Sequence, residues 1–340
     1  MTPEGDRWRG IRRSGCVVPR LPRLLAAFAA GLLLLIAASA SGASARSGGR
    51  SVPKWAAHGF LVFKYLDSLA QIRPGDESGG ILVGGPPGHM LGPHTPWDPA
   101  LSPNGRALAF RGYYEPFAEG DYALYVLNLR NGKFRRVTRS VAGDPAWSSD
   151  GRWIAFDDGG GGEVWKVRAG GGKPIRLTQR PRNTAGDAHP TWSQNGKQIA
   201  FVHWVNGRHG QIWAMRSDGT SAHLLRDDSR FSDEAPVWSH DGSHIAFVAR
   251  HGSRGSIEVM NANGSNTHTV TNLSVVAWNP VWLPHDTGIA FLSGDSVRGS
   301  GNVFVMRVDG QAVHQLTHWR GRALTPQFTW TGARMLVGRA

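Results

Sequence analysis

The stretch Ala235-Pro236-Val237-Trp238-Ser239-His240-Asp241-Gly242-Ser243-His244-Ile245-Ala246-Phe247 decides how the chain is read. Close relatives of it are Asp144 to Gly151 with Ile154-Ala155-Phe156, and His189 to Gly196 with Ile199-Ala200-Phe201. Looser copies are Pro99 to Gly105 with Leu108-Ala109-Phe110, Pro280-Val281-Trp282 with Ile289-Ala290-Phe291, and Pro326-Gln327-Phe328 with Met335-Leu336-Val337. The leading prolines stand at 99, 145, 190, 236, 280 and 326, so the steps are 46, 45, 46, 44 and 46 residues. A fixed period of that size is the mark of a propeller or another repeat array.

Each unit holds four short extended pieces. In the unit that opens at Pro236 they are Pro236 to Ser239, His244 to Ala249, Ser256 to Asn261 and Thr267 to Thr271. They are rich in Val, Ile, Phe, Trp and Thr and are bounded by Gly, Asn and Asp, which is strand chemistry. Asp241-Gly242 joins the first two and Asn263-Gly264 the last two, both tight-turn dipeptides. Four strands joined in this way make an up-and-down antiparallel sheet, and radial repetition of such sheets makes a propeller. The Trp two places after each proline (Trp147, Trp192, Trp238, Trp282) is expected to pack one sheet on the next, because an indole buries a large area.

The ends of the chain read differently. Residues 1–45 carry a basic start with Arg7, Arg9, Arg12, Arg13, Arg20 and Arg23, then the apolar run Leu24 to Ala38 and the small-residue sites Ala38-Ser39-Ala40 and Ala43-Ser44-Ala45. That is the build of an export signal, or of an uncleaved anchor through residues 24–45. Residues 46–57 read as a linker and 58–340 as the propeller. Gly59 to Tyr65, Leu69 to Arg73 and Ile81 to Gly84 look like a unit without its first strand; Pro326 to Trp330 and Arg334 to Gly338 look like the first two strands of another. The expectation is an all-β, six-bladed propeller of four-stranded antiparallel blades, closed by a blade that the N- and C-termini share. The ends offer five strand candidates for four places. The single Cys16 allows no intrachain disulfide, so stability must come from burial.

The formal charge of +13 becomes +9 when the six Arg, one Glu and one Asp of residues 1–45 are set aside. A basic exported protein suits an envelope protein or an anionic envelope polymer. The basic residues are spread through the chain and no nucleic-acid-binding motif appears, so no nucleic acid is expected. A monomer is expected.

Pro-x-Trp-Ser-x-Asp-Gly, Ile-Ala-Phe, Val-Met-Asn-x-x-Gly and Leu-Thr in this order resemble the TolB-like β-propeller repeat, also called WD40-like, over about residues 58–340. The resemblance implies a propeller exported to the periplasm or cell envelope that docks a protein on one face. The N-terminal α/β domain of the family's namesake is expected to be missing, since only Arg46 to Ala57 separates the signal from the first strand. The same repeats resemble propellers attached to prolyl-oligopeptidase-type peptidases and a few propeller lyases.

Binding usually lives on variable loops carried by a rigid scaffold. The first-to-second and third-to-fourth turns are short and stereotyped. The loops on the other face vary: Arg111 to Asp121 carries Tyr113, Tyr114 and Phe117, and Val202 to Gly210 carries Trp204. Those four aromatics form the expected partner-binding rim. The residue before each repeat proline enters the innermost strand at the mouth of the axial channel, which puts Asp98, Asp144, His189, Asn279 and Thr325 there, with Asp187 and Glu234 just outside. Such a collar fits a polar or cationic group, or Asp, Asn and Thr that satisfy nearby backbone amides. No Gly-x-Ser-x-Gly elbow and no His-Glu-x-x-His helix occurs, so no catalytic residue is assigned and no cofactor is expected beyond a divalent cation at the mouth. The leading expectation is an exported, non-catalytic binding propeller. The alternative is a propeller lyase or hydrolase acting on a polysaccharide or small ester with that cation.

Overall fold

The structure is a computed structural model. It describes residues 60–331 apart from 66–67, 73–79, 84–93, 114–121, 140–141, 160–161, 180–185, 272–275, 296–299 and 317–327, and at several strand ends it describes the backbone alone. The expected signal and linker, together with Tyr114, Phe117, Thr325 and Arg334 to Gly338, lie outside the described residues. Among those residues no helix is long and apolar enough to cross a membrane.

The described chain is strand almost throughout. Strands β1 (Phe60–Tyr65), β2 (Ser68–Ile72) and β3 (Gly80–Val83) come first. Blade I is β4 (His94–Leu101), β5 (Ala107–Tyr113), β6 (Ala123–Asn128) and β7 (Phe134–Arg136). Blade II is β8 (Gly143–Trp147), β9 (Trp153–Asp157), β10 (Val164–Arg168) and β11 (Ile175–Arg176). Blade III is β12 (Gly186–Trp192), β13 (Gln198–Val205), β14 (His209–Arg216) and β15 (His223–Arg226). Blade IV is β16 (Ser232–Trp238), β17 (His244–His251), β18 (Arg254–Asn261) and β19 (His268–Thr269). Blade V is β20 (Ala277–Trp282), β21 (Ile289–Asp295), β22 (Ser300–Met306) and β23 (His314–Gln315). The last strand is β24 (Phe328–Thr331).

Every sheet pairs its strands in up-and-down order. The expected count of six blades is corrected to five. A blade is four consecutive strands whose first strand turns through a left-handed residue ahead of its proline, and among the described residues five such runs occur, with that residue at 98, 144, 189, 235 and 279. The strands of the two chain ends pair as a further sheet in the order β24-β1-β2-β3, with Leu61 opposite Trp330 and Val62 opposite Thr329. That sheet draws on both termini and is described in its backbone pairing, so it is not one run of four consecutive strands. Of the five strand candidates for its four places, Phe60–Tyr65 supplies β1 beside β24, the choice that the sequence left open.

The repeat sequence explains the blade. The Ser of Trp-Ser-x-Asp-Gly closes the first turn: Ser148 Oγ accepts the amide of Trp153 at 2.9 Å and donates to Asp150 Oδ1 at 2.6 Å. Ser102 with Asn104, Ser193 with Asn195 and Ser239 with Asp241 repeat this device. Blade V lacks the Ser, and a short 3₁₀ turn at Pro284–Asp286 stands there. Asp286 instead reaches back to blade IV and accepts the amides of His240 and Asp241, each at 2.8 Å. The Thr of the repeat caps the third strand: Thr138, Thr178 and Thr271 accept the amides of Leu124, Val164 and Ile257.

The second strands are apolar at successive positions instead of alternating, because a blade is covered on both faces. Ile and Phe of one blade face the blade before it, and the Ala between them faces the blade after. Thus Ile245 and Phe247 pack with Ala200 and Ile212 of blade III, while Ala246 joins Trp282 and Ile289 of blade V. The small Ala leaves room for the neighbour's Trp. Trp192, Trp238 and Trp282 are buried at these seams. The indoles of Trp147 and Trp282 also donate to the carbonyls of Ala100 and Val237 in the preceding blade, each at 3.0 Å.

Candidate functional site at the propeller mouth

All five first strands break register beside their proline, and this break builds the mouth. The shifts fall between Trp97 and Ala100, Gly143 and Ala146, Ala188 and Thr191, Glu234 and Val237, and Trp278 and Val281. The residue ahead of each proline has positive φ: 54° at Asp98, 41° at Asp144, 50° at His189, 49° at Ala235 and 51° at Asn279. Residues other than Gly rarely adopt this region, and Asn, Asp and His tolerate it best. The Asp, His and Asn of the expected collar therefore suit the backbone as well as a ligand. Each proline contributes by excluding the right-handed helical region for its predecessor.

Three collar residues meet across successive blades. Asp98 Oδ2 accepts the Asp144 amide at 3.4 Å, and Asp144 Oδ2 lies 3.4 Å from His189 Nε2. Arg111 Nε pairs with Asp98 Oδ2 at 3.1 Å. Burial raises the Asp98 carboxyl above the usual carboxylate range, with Arg111 pulling it back. Asp144 is raised further: burial is the main cause, and the Asp98 and Asp157 carboxylates add to it, the second also by a side-chain hydrogen bond. Like charges that share a poorly hydrated space hold protons in this way.

The other expected residues are placed otherwise. Asp187 sits toward the loop end of β12 and pairs with His203 Nδ1 at 2.7 Å within its own blade. Glu234 takes Arg250 in a two-point pair at 2.8 and 2.9 Å. Asn279 occupies its left-handed position in blade V, and Ala235 gives blade IV a rim position without a polar side chain. Trp204 is half-buried at the loop end of β13, opposite Gly186 and Gly210. Tyr113 ends β5, where only its backbone is described.

Sequence reasoning missed Arg111 and Asp157. Both directly follow the apolar triplet of the second strand, where blades III, IV and V have Val202, Val248 and Leu292. A charged residue at that one register position was the available signal. It also missed Arg226, which stands where other blades carry the capping Thr. Arg226 reaches Asp228 at 3.0 Å, Asp233 at 3.6 Å and Glu258 at 3.6 Å. Among the described residues, no three His, Cys, Asp or Glu side chains converge as a metal-binding group.

Stacked four-stranded blades whose first strands each turn through a left-handed residue define a β-propeller. A family model described as the TolB beta propeller domain matches residues 93–286, more than half of the chain, and the chain belongs to that family. A TolB homolog of Chlorobium chlorochromatii is 36% identical over 107 residues, which is 31% of this chain and 22% of that protein. The match thus spans under a quarter of that relative's length. Crystal structures share the fold: TolB from Acinetobacter baumannii (TM-score 0.64, 19% identity, 80% of this chain and 66% of that one) and a chain of a nidogen/laminin complex (TM-score 0.62, 12% identity, 80% and 97%).

Proposed function

We propose that the chain is an exported, non-catalytic binding propeller of the cell envelope that holds a protein on its variable-loop face, with the mouth receiving a cationic group of that partner. The observation that carries this is the linked run Asp98, Asp144 and His189, one residue from each of three successive blades, held by backbone geometry at the entry to the axis. Ion pairs around it at Asp187 and Glu234, and the half-buried Trp204 at the loop end, supply the polar rim and aromatic anchor that interfaces use. Membership of the TolB propeller family supports an envelope role.

The test is site-specific photo-crosslinking in the native envelope, with the probe at position 204 or, as a control, at position 263 on the opposite turns. One discrete adduct from position 204 that weakens in Asp144→Asn is the expected result. The same adducts from both positions, or none from position 204, would refute the reading. A second reading, a lyase or hydrolase, draws on Asp98 and Asp144, two carboxyls raised by burial and set close together as an acid–base pair would be. Turnover of a polysaccharide or ester that is lost in Asp144→Asn would select it.

A further inference from the structure

The opposite, stereotyped face carries a groove at the seam of blades I and II. Its volume is about 440 Å³, and Arg106, Lys133 and Arg135 line it with Asn104, Asn128, Asn131 and Trp147. No carboxylate lines it.

The repeat varies between Asn and Asp at both turns. At the first turn blades I and III have Asn104 and Asn195, where blades II and IV have Asp150 and Asp241. At the second turn blades I and IV have Asn131 and Asn263, where blades III and V have Asp218 and Asp309. Blade I thus combines the neutral residue at both turns. Asn104 Oδ1 accepts the Arg106 amide at 3.0 Å, Asn128 Oδ1 the Arg130 amide at 2.9 Å and Asn131 Oδ1 the Lys133 amide at 3.0 Å. With each carbonyl oxygen engaged by backbone, the amide nitrogens are the groups these exposed side chains have to donate to a ligand. Arg106 and Lys133 are exposed and make no ion pair among the described residues.

Trp147 is the second departure. Its three counterparts are buried at their seams, whereas Trp147 is half-buried, packs against the core of the blade I/II seam and lines the groove with the part of the ring that is left open. Its indole nitrogen is tied to the Ala100 carbonyl, so the ring is held in place. Arg135 is likewise tied to the Ala169 carbonyl at the groove wall.

From these features we infer that this groove is a second binding site, for an acidic saccharide. Its walls offer donors at several points, two untied cations and one fixed aromatic ring. A uronic-acid residue presents the matching set: a carboxylate for Arg106 or Lys133, hydroxyl oxygens for the Asn amides and a C–H face for the indole. An acidic peptide would also satisfy the cations and could accept from the amides through its carbonyls, but it lacks the flat C–H ring face that a pyranose lays on an indole. The site lies on the opposite face from the mouth, so it stands independently of the partner-holding role.

The test is calorimetric titration of the full chain with an oligouronate, a neutral oligoglucan of equal length and an oligoglutamate. The expected result is binding of the oligouronate alone. Arg106→Ala/Lys133→Ala should weaken it by about tenfold or more, while melting as the wild type does. Added salt should weaken it too, since exposed charges are screened. No oligouronate binding, equal binding by the double variant, or tighter binding of the oligoglutamate would each overturn the assignment. Crosslinking from position 204 is expected to be unchanged in the double variant, which separates a failure here from a failure at the mouth.

Discussion

Arg226 Nε stands 3.6 Å from Oδ2 of Asp233, a carboxylate with no exposed surface. Neither oxygen of Asp233 accepts a hydrogen bond. Arg226 occupies the repeat's Thr position, and β15 runs on to pair Arg226 with Ile212 where other blades end in the Thr cap. In place of a neutral cap, Arg226 thus stands among Asp228, Asp233 and Glu258 at the seam of blades III and IV.

The first prediction concerns pH. Burial pushes the Asp233 carboxyl up to about 8, with Arg226 opposing and Glu258 and Asp228 adding to the rise. Between the ordinary value of 3.8 and about 8, the folded protein holds a proton that the unfolded chain has released. Stability from this group is therefore complete at acid pH and is lost as pH climbs through that window. Tm should fall from about pH 5 to about pH 8, and Asp233→Asn should flatten much of the fall. The raised Asp98 and Asp144 leave a residual slope of the same sign. An unchanged slope in the variant would refute this.

The second compares two turn glycines. Gly132 and Gly264 both have positive φ, 68° and 84°. A Cβ at 132 meets nothing within 4 Å, while one at 264 would lie 2.3 Å from the Leu225 carbonyl oxygen of the preceding blade. Gly132→Ala should cost about 1 kcal/mol of backbone strain. Gly264→Ala should cost at least about 2 kcal/mol, because two backbones must also part. Urea unfolding of the two variants checks the ordering.

A third prediction runs the other way. Ala235 sits at φ 49° with no side-chain hydrogen bond to offset the strain. Ala235→Gly should stabilise by about 0.5 kcal/mol, the relief of strain exceeding the added freedom of the unfolded chain. A loss of Tm would mean that the methyl packs well enough to outweigh its backbone.

The fourth concerns the Ser-x-Asp turn. Ser239 is buried, accepts the His244 amide and donates to Asp241. Ser239→Ala should cost about 1–2 kcal/mol, the penalty of an orphaned amide. Hydrogen bonds, from Ser239 first and Ser243 next, hold the Asp241 carboxyl down at about 2. Its contribution is present above the ordinary value of 3.8 and is lost as pH falls toward 2. The variant should move the Asp241 titration upward, which carboxyl NMR reads directly.

Much of the blade was legible because the repeat states it in local chemistry. Ser with Asp or Asn announces a turn closed by its own side chains, and a run such as Ile-Ala-Phe announces a strand covered on both faces. The blade count was less legible. Strand candidates at the two ends gave no means of deciding which would pair, and β1 rather than Arg334 to Gly338 took the place beside β24. At the mouth, Asp98, Asp144 and His189 were found from their place before proline. The left-handed turn that joins them was hidden, because a β-bulge leaves no mark on hydrophobic period. Arg111, Asp157 and Arg226 went unnoticed because each reads as a single irregularity until the strands are set side by side.

The left-handed step before each proline has one more consequence. It recurs with Asp, Asp, His, Ala and Asn in that place, so the bend tolerates residues of quite different chemistry. The bend and the chemistry it presents are thereby uncoupled: within this one chain the same backbone step displays carboxylate, imidazole, amide or methyl without a change of architecture.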